Sequence, residues 1–251
     1  MSRRIELKSA AEIQKMRTAG KLLRRVFNEV AKLVAPGVTT ADLDRHARKL
    51  IEDAGARPAF LGYHGFPATL CTSVNDEIVH GIPGNRKLLE GDIVSVDCGL
   101  VLNGFYSDTA TTFAVGQISE AAQTLLRVTE ESLYKAIEKI DVGTRIGTVS
   151  HAVEAHVAPY NFGVVREYTG HGIGRSMHEP PQVPNFGTPD TGFRLQEGLV
   201  IAVEPMINIG TWRTETLDDE WTVVTADRSL SAHFEHTIAV TADGPLILTA
   251  E

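Results

Sequence analysis

Four carboxylates lie at the ends of apolar stretches or within strand-like ones, where an isolated charge would be costly. Asp97 ends the run "IVSV" and Glu204 ends the run "VIAV", while Asp108 and Glu235 lie in stretches rich in Thr, Val, Ile and Phe. Buried carboxylates placed close together repel one another, and bound divalent cations remove this repulsion. The four acids together predict a metal site, although each one taken singly could equally be solvated or paired with an arginine.

The donor types indicate which metals such a site would bind. Carboxylate oxygens with one imidazole suit Mn, Fe or Co, whereas thiolates favour zinc. The sequence has no His-Glu-x-x-His pattern, which excludes the helix of zinc proteases. Two metals about 3.5–4 Å apart, bridged by carboxylates and a hydroxide, would form a hydrolase centre that activates water and polarises a scissile carbonyl.

Two histidines share one irregular stretch, "YTGHGIGRSMHEPP" at 168–181, which contains His171 and His178. Its glycines and prolines are incompatible with a regular helix, so helical spacing does not pair the two imidazoles. From the residues alone, each is either an ordinary loop histidine or part of a site assembled by distant segments.

An internal repeat indicates how the acids could meet. "EGDIVSVD" at 90–97 and "EGLVIAVE" at 197–204 match at an offset of 107 residues, and the same offset carries "YHGF" onto "GHGI". The repeat predicts two α/β halves related by a pseudo-twofold axis, sharing one sheet and placing all four acids near the axis. No Gly/Ser-rich or Pro-rich linker separates the halves, so we expect a single domain over 1–251, with halves at about 9–116 and 117–249.

Four helices are predicted to flank the sheet. The capping box "SAAE" begins a helix at Ser9 that runs to about Val34. A second helix is predicted over Thr40 to Ala54, a long amphipathic one over 119–140, and a shorter one near 146–158.

Composition narrows the class of protein. Hydrophobic content of 43% and charged content of 22% are ordinary for a globular chain, and no apolar stretch has transmembrane length. The first twenty residues lack the apolar core of a secretory signal, which predicts a cytoplasmic protein without membrane contact. Two cysteines, Cys71 and Cys98, are too few for a disulfide scaffold or a thiolate zinc site.

The charge distribution leaves one alternative open. A net charge of −8 argues against a general nucleic-acid binder, but residues 1–25 hold eight Lys or Arg against two Glu. This basic segment is either the solvated face of a helix or a surface that contacts RNA.

Six motifs make the chain resemble the methionine aminopeptidases of the short bacterial type, which share the pita-bread fold with prolidases and creatinase. They are "NDEIVHGIPG", "DIVSVDCG", "GFYSDTATTF", "GHGIGRSMHEPPQVPNFG", "VIAVEPM" and "WTVVTADRSLSAHFEHT". The resemblance covers about residues 5 to 249. It implies a pita-bread fold of the α/β (α+β) class, in which the two halves share a curved antiparallel sheet with helices on its outer face.

The resemblance also implies roles for individual residues. It places the metal ligands at Asp97, Asp108, His171, Glu204 and Glu235. It implies that Glu204 doubles as a proton shuttle, and that His178 contacts the substrate backbone and stabilises the tetrahedral intermediate. His80 is implied to act near the scissile amide, in positioning or proton transfer. The methionine pocket is implied to consist of Tyr63, Phe66, Cys71 and Trp221. Three positions depart from the familiar bacterial pattern and leave the detailed shape of the pocket open, namely Phe60, Met177 and His233.

The function implied is removal of the initiator methionine from the N-termini of nascent polypeptides when the second residue is small. Two divalent metal ions would serve as cofactors, Mn, Fe or Co, with Zn possible. The enzyme is expected to be a cytoplasmic monomer, with a transient ribosome contact through the basic N-terminal segment.

Three alternatives accompany this function. Prolidase-like dipeptidases carry an additional N-terminal domain, and the eukaryotic-type enzyme carries a helical insertion between its last two acidic ligands. Only thirty residues separate Glu204 from Glu235, which leaves no room for that insertion. The third alternative is a catalytically inactive pita-bread module that binds RNA or the ribosome. The presence of all five ligands argues against it.

Overall fold

The computed structural model describes residues 5–250. Its helices confirm the predicted ones, with ends up to a turn shorter: α1 Ala10–Ala31, α2 Thr40–Asp53, α3 Glu120–Ile137 and α4 Ile146–Val157. Short 3₁₀ turns cover Tyr63–Gly65 and Ala158–Tyr160. No helix within residues 5–250 is both long and apolar enough to span a membrane.

Side-chain caps explain where three helices begin. Ser9 and Glu12 form the predicted capping box of α1, and Thr39 and Asp42 form a second one at α2. The Ser119 hydroxyl accepts the Ala122 amide at the start of α3.

The strands are mostly short, apart from two of ten residues that form one hairpin. Their bounds are β1 Arg57–Pro58, β2 Leu70–Val74, β3 Glu77–Val79, β4 Ile93–Leu102, β5 Phe105–Ala114, β6 Gly163–Val164, β7 Gly170–Gly172, β8 Glu179–Val183, β9 Val200–Val203, β10 Met206–Asn208, β11 Thr214–Thr216, β12 Val223–Thr225, β13 Ser231–His233, β14 His236–Thr241 and β15 Gly244–Ile247.

All strand pairs within the described chain are antiparallel, and hydrogen bonding divides them into four sheets. In the first half, β4 pairs with β5 along its whole length and with β1 and β2 on its other side. The second half contains a five-stranded sheet in the order β15-β14-β9-β7-β8. Two three-stranded sheets, β13-β10-β6 and β11-β12-β3, complete the set. An antiparallel bridge between Ala110 and Glu235 joins the two larger sheets at the centre of the molecule.

The two halves repeat the same backbone contacts. The Gly37 amide donates to the Leu88 carbonyl at 2.7 Å, and the Gly143 amide donates to the Leu195 carbonyl at 2.9 Å. Apolar faces of α1 and α2 pack on the first-half sheet, and those of α3 and α4 pack on the second-half sheet. The repeat therefore produces two similar helix-covered layers, and the carboxylates lie where the layers meet.

Candidate metal centre

The β4–β5 hairpin positions the first two acids. In its register Asp97 lies opposite Ala110, and Asp108 lies opposite Gly99. Side chains two residues apart on a strand share one face, so both carboxylates project from the same face of the hairpin. This confirms that the two acids lie on neighbouring strands.

The other two acids lie where β9 and β14 pair. Glu204 directly follows β9, Glu235 directly precedes β14, and their neighbours Val203 and His236 are register partners. The Glu235 amide donates to the Ala110 carbonyl at 2.9 Å, which fixes this acid against the strand that carries Asp108. The two pairs of acids therefore meet across the boundary between the halves.

The backbone orients His171, which lies on β7. Its Nδ1 is 2.9 Å from the Gly172 carbonyl, an acceptor, so Nδ1 carries the proton and donates. The lone pair is left on Nε2, which lies 3.6 Å from Glu204 Oε1. A metal-binding imidazole usually donates its other ring N–H to such an acceptor, which fixes the tautomer.

Three ligand atoms converge closely enough to hold a metal ion. One atom each from Asp108, His171 and Glu235 lies within 4.8 Å of the others, and all three residues are buried. Asp97 and Glu204 line the same cavity. The buried oxygens Asp97 Oδ1, Asp108 Oδ1 and Glu235 Oε1 have no hydrogen-bond partner among residues 5–250. Unsatisfied buried carboxylate oxygens are expected where a cation belongs, so the donor set fits a divalent metal.

The raised pKa values of the four acids likewise favour a bound cation. Burial raises the pKa of Asp97 and of Glu235 well above the usual range, and the negative charges of neighbouring acids add to the effect. Burial and Asp108 raise the pKa of Glu204 in the same way. Burial raises the pKa of Asp108 to about 7, although its hydrogen bond with Asp97 opposes the change. A divalent cation is the charge that would let these carboxylates ionise together.

The histidines are held neutral. Burial, with His178 nearby, lowers the pKa of His171 to about 3. Burial, again with His178 nearby, lowers the pKa of His80 to about 4. The pKa of His178 is lowered by burial and by His64. Neutral imidazoles are able to bind a metal or to accept and donate hydrogen bonds.

One cavity of about 290 Å³ brings together every predicted site residue. Part of its wall is aromatic, with the rings of Phe66 and Trp221 packed edge to face at 5.1 Å between centroids. The Tyr63 hydroxyl lies 2.7 Å from Nδ1 of His178, whose ring centre is 4.3 Å from that of His171. Buried Cys71, a free thiol, completes the implied methionine pocket.

The three departures from the familiar pattern also line this cavity. Phe60 and Met177 pack over Gly99, where a Cβ would lie 2.9 Å from an atom of each. His233 is 2% exposed, and its Nε2 lies 3.8 Å from Glu204 Oε2. His233 is therefore a buried group in the cavity wall, with a pKa that burial and His80 lower to about 3.

Some lining residues were missed by the sequence reasoning. His64 and Tyr168 face the cavity, and the Tyr168 ring packs edge-on against His80 at 5.6 Å between centroids. Tyr168 opens the stretch that contains both histidines, which is the signal that could have revealed it. Val79, Thr169 and Met206 also line the cavity.

Comparison with known proteins now defines the class. The model of metallopeptidase family M24 matches residues 14–242, and the chain belongs to this family. A curated relative from Clostridium perfringens, named methionine aminopeptidase, is 54% identical over 98% of each chain. A solved methionine aminopeptidase from Thermotoga maritima has a TM-score of 0.97 at 46% identity, covering 99% of this chain and 100% of that one.

A more distant likeness shows the fold alone. A prolidase from Pyrococcus horikoshii is 22% identical, with a TM-score of 0.79, and this chain covers 63% of it. Together these comparisons confirm the predicted pita-bread fold and the resemblance to methionine aminopeptidases.

Proposed function

We propose that this chain removes methionine from the N-termini of polypeptides by metal-dependent hydrolysis. The observation that carries the proposal is one cavity lined both by buried, unpaired carboxylate oxygens and by packed aromatic rings. Relatives that match over their full length are named for this activity. The chain is a metal-dependent exopeptidase, and nothing observed favours an inactive binding module.

The metal ligands are proposed to be Asp97, Asp108, His171, Glu204 and Glu235. When bound there, divalent ions would lower the pKa of a water molecule and polarise the scissile carbonyl. We propose two ions and Mn, Fe or Co as their identity, since oxygen donors with one imidazole suit these metals.

Glu204 is suited to move a proton within the cavity. Its Oε1 lies 3.6 Å from His171 Nε2 and its Oε2 lies 3.8 Å from His233 Nε2, so both oxygens are inside the cavity lining. Because burial raises the pKa of this carboxyl, the proton is held more tightly than on an exposed glutamate. A general acid–base group works best when its pKa lies near the working pH, above that of an exposed glutamate.

His178 is suited to bind an oxygen of the substrate. When the Tyr63 hydroxyl donates to Nδ1, Nε2 carries the ring proton and donates it. A neutral donor aimed at a developing oxyanion stabilises the tetrahedral intermediate. His80 lies near Tyr168 and Trp221 in the same wall, where it would position the scissile amide.

The aromatic wall is suited to a methionine side chain. A polarisable thioether packs favourably against aromatic rings, here Tyr63, Phe66 and Trp221, with Cys71 beside them. We further propose that the residue after methionine must be small, as the resemblance implies.

The test is methionine release from the peptide Met-Ala-Ser by metal-stripped protein titrated separately with Mn, Fe, Co and Zn. We expect activity to depend on added metal, to rank the metals, and to be lost in Asp97→Ala. Folded protein without activity under any metal would contradict the proposal.

The cellular setting is a separate proposal. We propose a cytoplasmic monomer that acts on nascent chains and contacts the ribosome through its basic N-terminal segment. Arg3 and Arg4 lie outside the described residues, whereas Lys8 is buried and Arg24 half-buried, so Arg25 is the more available cation. Light scattering tests the monomer, and unchanged co-sedimentation with ribosomes after charge reversal of Arg3, Arg4, Arg24 and Arg25 would contradict the contact.

A further inference from the structure

A buried ion pair lies just outside the cavity wall. Lys8 Nζ donates to Glu179 Oε2, and only 4% and 11% of the two side-chain surfaces are exposed. Charges this deeply buried are costly unless they are paired and fully hydrogen-bonded. This pair meets that condition, since Lys8 Nζ also donates to the Glu6 carbonyl at 3.0 Å.

Glu179 fixes the path of the loop that carries His178. This His178 loop, residues 173–178, connects β7 to β8, and Glu179 begins β8. Glu179 Oε1 accepts the amides of Arg175 at 2.8 Å and Ser176 at 3.0 Å. One carboxylate thus holds the turn immediately before the catalytic imidazole on one oxygen and the lysine on the other.

Lys8 in turn is fixed to the rest of the site. Its amide donates to the Gly198 carbonyl at 2.7 Å, shortly before β9, which Glu204 directly follows. A Cβ on Gly174 would lie 2.2 Å from Lys8 Cε, so the backbone of the His178 loop packs directly on the lysine side chain. Lys8 therefore connects the loop of His178 to the segment leading to a proposed metal ligand.

We propose that Lys8 and Glu179 are positioning residues that set the location of His178. The inference rests on the proposed role of His178 in hydrolysis. Without the lysine, Glu179 would be a buried carboxylate with no cation, and the loop would rearrange to hydrate it. Displacing a catalytic group by about 1 Å is enough to cost about 100-fold in rate.

A second contact of the same loop supplies a matched control. Arg175 pairs with Glu12 at 2.8 Å, but its side chain is 58% exposed, and exposed pairs contribute little. Glu12→Gln keeps the capping box of α1, because glutamine also serves at that position. This variant removes an ion pair from the His178 loop without touching the buried one.

The experiment is a double-mutant cycle on Mn-loaded enzyme with Met-Ala-Ser as substrate. The variants are Lys8→Met, His178→Ala and their combination, with Glu12→Gln as control. We expect Lys8→Met to lower kcat about 10- to 100-fold with KM and Mn affinity little changed. In the His178→Ala background the same change should lower kcat by less than about twofold, because Lys8 acts through the His178 imidazole, which this background lacks. Glu12→Gln should stay within about twofold of wild type.

The outcomes separate the two proposals. Wild-type protein that is inactive with metal overturns the proposed function itself. Active wild type with an unimpaired Lys8→Met variant, or losses that multiply in the double variant, overturns the positioning role alone. If Lys8→Met does not fold, Glu179→Gln, which keeps the side-chain shape, takes its place in the same cycle with the same expectations.

Discussion

At the scale of single residues, burial gives the carboxylates of the cavity their chemistry. Folding places Asp108 where its pKa rises to about 7, from an ordinary value of 3.8. The unfolded chain therefore releases this proton at lower pH than the folded, metal-free chain does. The stabilisation linked to this proton is complete below the unfolded pKa and is lost as pH rises through about 7.

A comparison with Asp108→Asn tests this effect, since asparagine keeps the shape of the side chain but has no proton that titrates. In metal-free protein, we expect the variant to gain stability relative to wild type as the pH rises from 5 to 7, by about 1.4 kcal/mol for each pH unit. Urea unfolding at several pH values measures it, with Asp243→Asn on an exposed turn as control. A difference that does not change with pH would contradict the assignment.

The sequence identifies these acids but not all of their surroundings. Asp97 and Glu204 each end an apolar run at equivalent positions of a repeat, which is a pattern visible in one dimension. The pairing of Lys8 with Glu179 joins residues 171 positions apart, and no local sequence pattern predicts it. Lys8 therefore counted among the basic charges of a solvated segment, whereas the structure buries it.

At the scale of elements, the helices are predictable because their signals are local. The capping boxes and apolar periodicity of α1 and α2 are readable within a few residues. The helix ends are less predictable. For example, α1 ends at Ala31 and not near Val34. What the helices pack against also depends on distant residues, and Gly20 of α1 shows this. A Cβ at Gly20 would lie 2.1 Å from the Leu248 carbonyl oxygen.

Gly20→Ala should therefore destabilise the protein, although alanine ordinarily favours a helix by about 1 kcal/mol. We expect a net loss of about 1–3 kcal/mol, as for other overpacked sites. Thermal unfolding measures it, and Lys21→Ala on the exposed side of the same helix is the control. A stabilised Gly20→Ala variant would show that α1 does not approach the C-terminal segment this closely.

At the scale of the whole molecule, the repeat explains both the architecture and the location of the site. Gly91 and Gly198 adopt φ angles of 90° and 87° at equivalent turns, and their amides donate to Val115 and Val240. The division of residues 5–250 into four hydrogen-bonded sheets, where the repeat predicts one shared sheet, could not be foreseen, because the breaks depend on strand pairing between distant segments. The site lies at the junction, where the Ala110–Glu235 bridge joins the halves.

The single-domain prediction has a direct consequence for unfolding. Both tryptophans, Trp212 and Trp221, belong to the second half, whereas circular dichroism reports helices of both halves. If the halves form one cooperative unit, the fluorescence and dichroism transitions in urea should coincide. Two separated transitions would divide the chain into two domains.

If the buried acids form the metal centre that drives hydrolysis, activity must follow bound metal. The most direct measurement is calorimetric titration of metal-stripped protein with Mn, with methionine release from Met-Ala-Ser assayed on the same samples. We predict that activity rises with bound Mn, that Asp108→Asn loses both, and that exposed Glu138→Gln loses neither. Full activity in metal-stripped protein, or unchanged Mn binding in Asp108→Asn, would contradict the account.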